Sequence, residues 1–146
     1  MADYKAYQPV VCNERVNSCL KLHFSFNGWT THNSKHLLTG ICIHHFNCEG
    51  RVVDYLIALP EQLGHYTGIN YTTIIGNVLA HFKVTKKSLS YFVTDNTKNN
   101  NTCLDHLATI FNFRKDNWHI QCTAHTLNLV TQSIMFRKDK DVYKNN

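Results

Sequence analysis

No stretch of this chain approaches the ~18 consecutive apolar residues that a membrane-spanning helix needs, so no membrane partner is expected. The N-terminus, Met1-Ala2-Asp3-Tyr4-Lys5, lacks a basic-then-apolar signal segment, which argues against secretion. Six cysteines (Cys12, Cys19, Cys42, Cys48, Cys103, Cys122) include no CxxC pair. Without a secretory signal they read as reduced thiols of an intracellular protein. By the same reasoning, Asn70-Tyr71-Thr72 and Asn100-Asn101-Thr102 are chance matches to the glycosylation sequon. There is no internal repeat, and low complexity is confined to the four asparagines between Asn96 and Asn101.

What is present describes a globular chain. Hydrophobic residues make up 43% and charged residues 17%, which excludes a disordered polymer. A length of 146 residues suits one domain that buries about two thirds of its unfolded surface. The net charge of +5 favours an anionic partner such as nucleic acid. The basic residues are scattered, however. The clusters Lys83, Lys86, Lys87 and Arg137-Lys138-Asp139-Lys140 are equally well explained as solvated surface.

Hydropathy divides the chain into an irregular lead-in (1–19), a patterned body (20–136) and a charged tail (137–146). Leu20, Leu22, Phe24 and Phe26 alternate with polar residues, which predicts a strand with one buried face. Leu37 to Phe46 and Arg51 to Leu59 read as an antiparallel hairpin around the turn Asn47-Cys48-Glu49-Gly50. Pro60 to Gly68 breaks the pattern. Tyr71, Ile74, Ile75, Val78, Leu79 and Phe82 then mark a helix of about three turns, in which Gly76 suggests a close approach to the sheet. Leu89 to Thr94 is a fourth strand, followed by a polar loop from Asp95 to Asn101. Thr102 and Asp105 are spaced as a capping box for a second helix, with Leu104, Leu107, Ala108 and Phe111 on its apolar stripe. Trp118 to Cys122 is a fifth strand, and Leu127, Val130 and Ile134 mark a third helix. The order β-β-β-α-β-α-β-α predicts an α/β fold with a mixed sheet, strand four lying parallel to strand one after a right-handed crossover. Ligands of such sheets gather at strand C-terminal ends near the switch point, which here places Asn27 beside Asp95.

Acids at those two strand tips, with a third from a later helix, would hold two divalent ions about 3.5–4 Å apart for phosphoryl transfer, the RNase H-like arrangement. Five segments resemble those of hAT-superfamily transposases. Phe24-Ser25-Phe26-Asn27-Gly28-Trp29-Thr30-Thr31 is similar to the family's FSFDGWTS strand, and Leu37-Leu38-Thr39-Gly40-Ile41-Cys42-Ile43-His44 to the strand that follows. Gly64-His65-Tyr66-Thr67-Gly68-Ile69-Asn70 is similar to GSHTGENI, and Tyr91-Phe92-Val93-Thr94-Asp95-Asn96-Thr97-Lys98-Asn99-Asn100 to YFVLDNASNN. Cys122-Thr123-Ala124-His125-Thr126-Leu127-Asn128-Leu129 matches CxxH-x-LNL. The likeness covers about residues 20–140, in order and at matching intervals.

The resemblance implies an RNase H-like domain incomplete at its C-terminus, Mg²⁺ or Mn²⁺ as cofactor, DNA as partner and the nucleus as location. It makes Asp95 the second catalytic acid and a metal ligand, and puts Asn27 where the first acid should stand. It links Cys122 and His125 to DNA handling near the active site. The family's third acid, a late glutamate, and its zinc-finger and dimerisation regions are expected to be missing here. A neutral amide neither bridges two ions nor offsets their charge, so the expectation is an inactive domain with vestigial DNA affinity. A domesticated DNA- or protein-binding module on the same fold is the alternative, and an active nuclease is disfavoured by the missing acids.

Each residue has a simpler reading beside this one. Asn27 can cap its strand in a turn with Gly28, and Asp95 can serve turn and helix-entry hydrogen bonds. Cys122 and His125 can be a buried thiol and a hydrogen-bonded histidine, since zinc wants four ligands. Trp29 can stack on a base or simply pack. Cys42, His44, His45 and Cys48 would form a metal site only if the turn folded Cys48 back, because His45 points away from Cys42 and His44. The absence of C-terminal helices should leave apolar surface uncovered.

Overall fold

A computed structural model describes residues 21–31, 36–62 and 67–135. The expected lead-in and charged tail, and Gly64 to Tyr66 of one family-like segment, lie outside the described residues. Strand β1 (Leu22–Thr30) buries Leu22, Phe24 and Phe26 on one face, as their alternation requires. Strand β2 (Leu37–Phe46) pairs with it antiparallel and turns Thr39, Ile41, Ile43 and His45 to the same interior. Asn47 Oδ1 then accepts from the Glu49 and Arg51 amides at 3.0 and 2.9 Å. Gly50 takes φ +76°, and the chain returns as β3 (Val52–Ala58). The expected break after Pro60 contains a two-residue strand, β4 (Glu61–Gln62), which continues along β2 opposite Leu37 and Leu38.

Helix α1 (Gly68–His81) is capped by Thr67, whose hydroxyl accepts from the Asn70 amide, and it buries Tyr71, Ile75 and Leu79. Strand β5 (Leu89–Thr94) runs parallel to β1, as its place after the crossover predicts. The pairing carries a bulge: Leu22 faces Leu89, but Phe24 faces Phe92, so β5 spends one extra residue between them. Helix α2 (Lys98–Phe111) starts four residues before the expected box. Thr97 is its cap, accepting from the Asn100 amide, and the asparagine run forms its first turn. One helical turn, α3 (Lys115–Trp118), takes Trp118 out of the expected strand, leaving β6 (His119–Gln121) paired parallel to β5. Helix α4 (Thr123–Met135) closes the described chain.

The result is a mixed sheet in the order β3-β2-β1-β5-β6, with β4 beside β2. Its inner face meets α1 and α2 in an aromatic core. Phe26 stands edge-on to Tyr71 at 5.4 Å, and Phe92 lies 6.0 Å from Phe24. Full burial of each such side chain contributes about 1.5–3 kcal/mol. The outer face is different: Trp29, Val52, Leu56, Tyr91 and Ile120 are all exposed. No residue of α4 is buried, and Leu127, Val130 and Ile134 face solvent. Among the described residues no helix is long and apolar enough to cross a membrane.

The close approach expected at Gly76 is found instead at Gly68, where a Cβ would lie 2.5 Å from the Thr102 Cβ. A Cβ on Gly76 would meet nothing within 4 Å, so this residue marks no close approach. Gly76→Ala should therefore stabilise the domain by about 0.5–1 kcal/mol through helix propensity alone. Urea unfolding should show a raised midpoint at unchanged slope.

Candidate functional site

Where β1 runs past the end of β5, the outer face opens into a cleft of about 380 Å³. Its walls carry all five residues singled out by the sequence: Asn27, Trp29, Asp95, Cys122 and His125. The parallel register explains the first pairing. The last paired residues are Ser25 and Val93, and both Asn27 and Asp95 lie two positions further on. With a period of two, each returns to the outer face carried by Ser25 and Val93.

Asn27 is not at a strand tip, however, nor in a turn with Gly28. It is an exposed residue within β1, paired with Gly40, and Gly28 is paired with Thr39. The ladder with β2 carries β1 three residues beyond Asn27, so the tip exists only with respect to β5.

Asp95 already has structural work. Its Oδ1 accepts from the Thr97 amide at 3.2 Å and from the side-chain amide of Asn100. Asn100 is fully buried in the first turn of α2, and its own Oδ1 has no hydrogen-bond partner among the described residues. Asn100 is hidden in the sequence because the asparagine run reads as loop. The spacing from Asp95 to Asn100, spanning a Thr cap, was the signal that could have found it.

The far wall is held by the end of β5. The Cys122 amide donates to the Thr94 carbonyl at 2.8 Å, and the Thr126 amide and hydroxyl return to the Cys122 carbonyl. This fixes Cys122 and His125 at the entry of α4, both half-buried. The Thr94 hydroxyl lies 2.9 Å from His119 Nε2. Burial lowers the His119 pKa, the Lys115 charge adds to this, and a hydrogen bond with Thr94 opposes it. Trp29 lies across Gly40, whose hypothetical Cβ would sit 3.0 Å from the indole ring. The ring is nonetheless 44% exposed, so it packs on one side and remains available on the other.

Chemically the cleft offers one carboxylate, Asp95, and one side-chain amide, Asn27, beside the hydroxyl of Ser25, the thiols of Cys42 and Cys122 and the imidazole of His125. Among the described residues no group of three His, Cys, Asp or Glu side chains is placed to hold a metal ion. Within the Cys42-to-Cys48 cluster, His45 is buried on the inner face while Cys42 and His44 lie on the outer one, and Cys48 is exposed beyond the strand. No protein-family model matches the chain, and comparison with curated proteins finds no match.

Proposed function

We propose that this chain carries an RNase H-like catalytic domain of the hAT transposase type that no longer cleaves DNA. The observation that carries the reading is the register of Asn27 with Asp95 across the mouth of the cleft. In a two-ion site these are the positions for paired carboxylates, and here one is an amide. The strand order β3-β2-β1-β5-β6, with three antiparallel strands followed by parallel ones, supports the same fold assignment. Mg²⁺ or Mn²⁺ would find Asp95 and the Asn27 carbonyl oxygen as protein ligands, too few hard oxygens for productive binding. Vestigial DNA contact would fall to Trp29, Cys122 and His125 beside the cleft, and a nuclear location follows from the same family reading.

The alternative of a dedicated nucleic-acid-binding module is less well supported. Lys83, Lys86 and Lys87 lie in the segment that enters β5, while the cleft lies at that strand's exit, about 20 Å along a six-residue strand. A binding module would place its cations at the cleft.

The wild-type chain should show no Mg²⁺- or Mn²⁺-dependent nicking of supercoiled DNA. Asn27→Asp should tighten Mn²⁺ binding, followed by calorimetry, by roughly tenfold or more through the added charge. Nicking should still be absent, because no third acid joins the pair among the described residues. Metal-dependent nicking by the wild type that disappears in Asp95→Asn would overturn the inactive reading.

A further inference from the structure

Three outer-face side chains, one from each antiparallel strand, form a relay that the transposase reading does not use. Ser25 Oγ of β1 lies 2.8 Å from His44 Nε2 of β2, and His44 Nδ1 lies 2.6 Å from Asp54 Oδ1 of β3. The sheet register sets this up, pairing Ser25 with Cys42, and His44 with Asp54. A carboxylate can only accept, so Nδ1 carries a proton, and in the neutral form of the ring Nε2 is the atom that accepts from the serine hydroxyl. That is the tautomer a general base needs. Ser25 also lines the cleft, together with the apolar side chains of Trp29 and Leu56. Two residues along the same strand and face, Asn27 brings a side-chain amide to the cleft.

We propose that Ser25, activated by His44, is a nucleophile for acyl transfer from small activated esters, with Asp54 as a positioning residue. The Ser25 oxygen bonds to the ester carbonyl carbon and its proton passes to His44 Nε2. The Asn27 amide donates to the carbonyl oxygen as negative charge develops there. The bond from carbon to the leaving oxygen breaks, and that oxygen takes the proton from His44 and departs as an alcohol. Water then attacks the acyl-serine with His44 again as base, releasing the carboxylic acid and the free hydroxyl. The neighbouring Cys42 does not compete, because burial raises its pKa and keeps it a thiol. The proposal is independent of the transposase reading, since it needs neither a metal nor an acid at position 27.

The test is site-mapped labelling of the intact chain by a fluorophosphonate, together with p-nitrophenyl acetate turnover. Ser25 should be labelled in folded protein and not in urea, and Ser25→Ala should lose that labelled peptide. His44→Ala should slow labelling about 10²-fold or more, the usual contribution of a positioned base. Asp54→Asn, at an exposed position, keeps the test valid if the His44 variant fails to fold, and it should slow labelling at least tenfold while the circular dichroism spectrum is unchanged. Labelling of Ser25 no faster than in urea, or at the same rate in a folded His44→Ala or Asp54→Asn variant, would show a polar cross-strand ladder only and overturn the proposal.

Discussion

Phe92→Ala should lower the unfolding free energy by about 3–5 kcal/mol, the usual cost of emptying an aromatic core position. Phe92 is fully buried on β5, and its ring centre lies 6.0 Å from Phe24, 6.1 Å from Phe26 and 5.7 Å from Phe113. It therefore joins β1, β5 and the segment after α2, and its loss leaves a cavity that three elements share. Against a total of about 5–15 kcal/mol for a domain, this is enough to unfold a large share of the chain near 37 °C. Tyr91→Ala is the control. Tyr91 is 41% exposed on the outer face and stacks on His23 at 5.5 Å. Its loss should cost about 1 kcal/mol or less. Urea unfolding followed by circular dichroism separates the two, and equal costs would mean that the two faces have been assigned wrongly.

Gly68→Ala should destabilise by about 1–3 kcal/mol, with sign opposite to the same change at Gly76. A Cβ at Gly68 would lie 2.5 Å from the Thr102 Cβ and 3.0 Å from the Asn99 carbonyl oxygen, where the start of α1 crosses α2. Backbone and a β-carbon cannot swing aside, so the helices would have to part. The cause is testable by coupling: combined with Thr102→Gly, the alanine should cost much less than the sum of the two single changes. Strict additivity would place the strain somewhere other than this crossing.

Much of this architecture was legible from hydropathy because its elements are long and half-buried. The alternation through Leu22, Phe24 and Phe26 and the stripe through Tyr71, Ile75 and Leu79 each needed one period and no partner. Leu89–Thr94 was bounded correctly, since polar residues follow it directly. The errors fell where a short-range hydrogen bond outweighed propensity. Asparagine is a poor helix former, yet the run at 99–101 is helical because Thr97 caps it and Asp95 holds Asn100. Strand β4 is two residues long and shows no period at all; it exists because the edge of β2 offers Leu37 and Leu38 as partners. Asn27-Gly28 has turn chemistry, but the ladder with β2 overrides it. Candidate site residues named from motifs did converge on one cleft. The Ser25–His44–Asp54 relay could not be read at all, because it depends on the register of three strands that the sequence does not number.

The extra residue in β5 has a reach well beyond the two side chains it separates. Were β5 to keep the offset of Leu22 with Leu89, Asn27 would face Thr94, and Asp95 would fall level with Gly28. A one-residue slip exchanges the faces of every later position. Tyr91 would enter the core in place of Phe92, and the carboxylate would point towards α1 and α2. The bulge acts as a phase adjuster: it keeps Leu89 and Phe92 both inside, and so delivers an acid to the open face at the point where β5 ends.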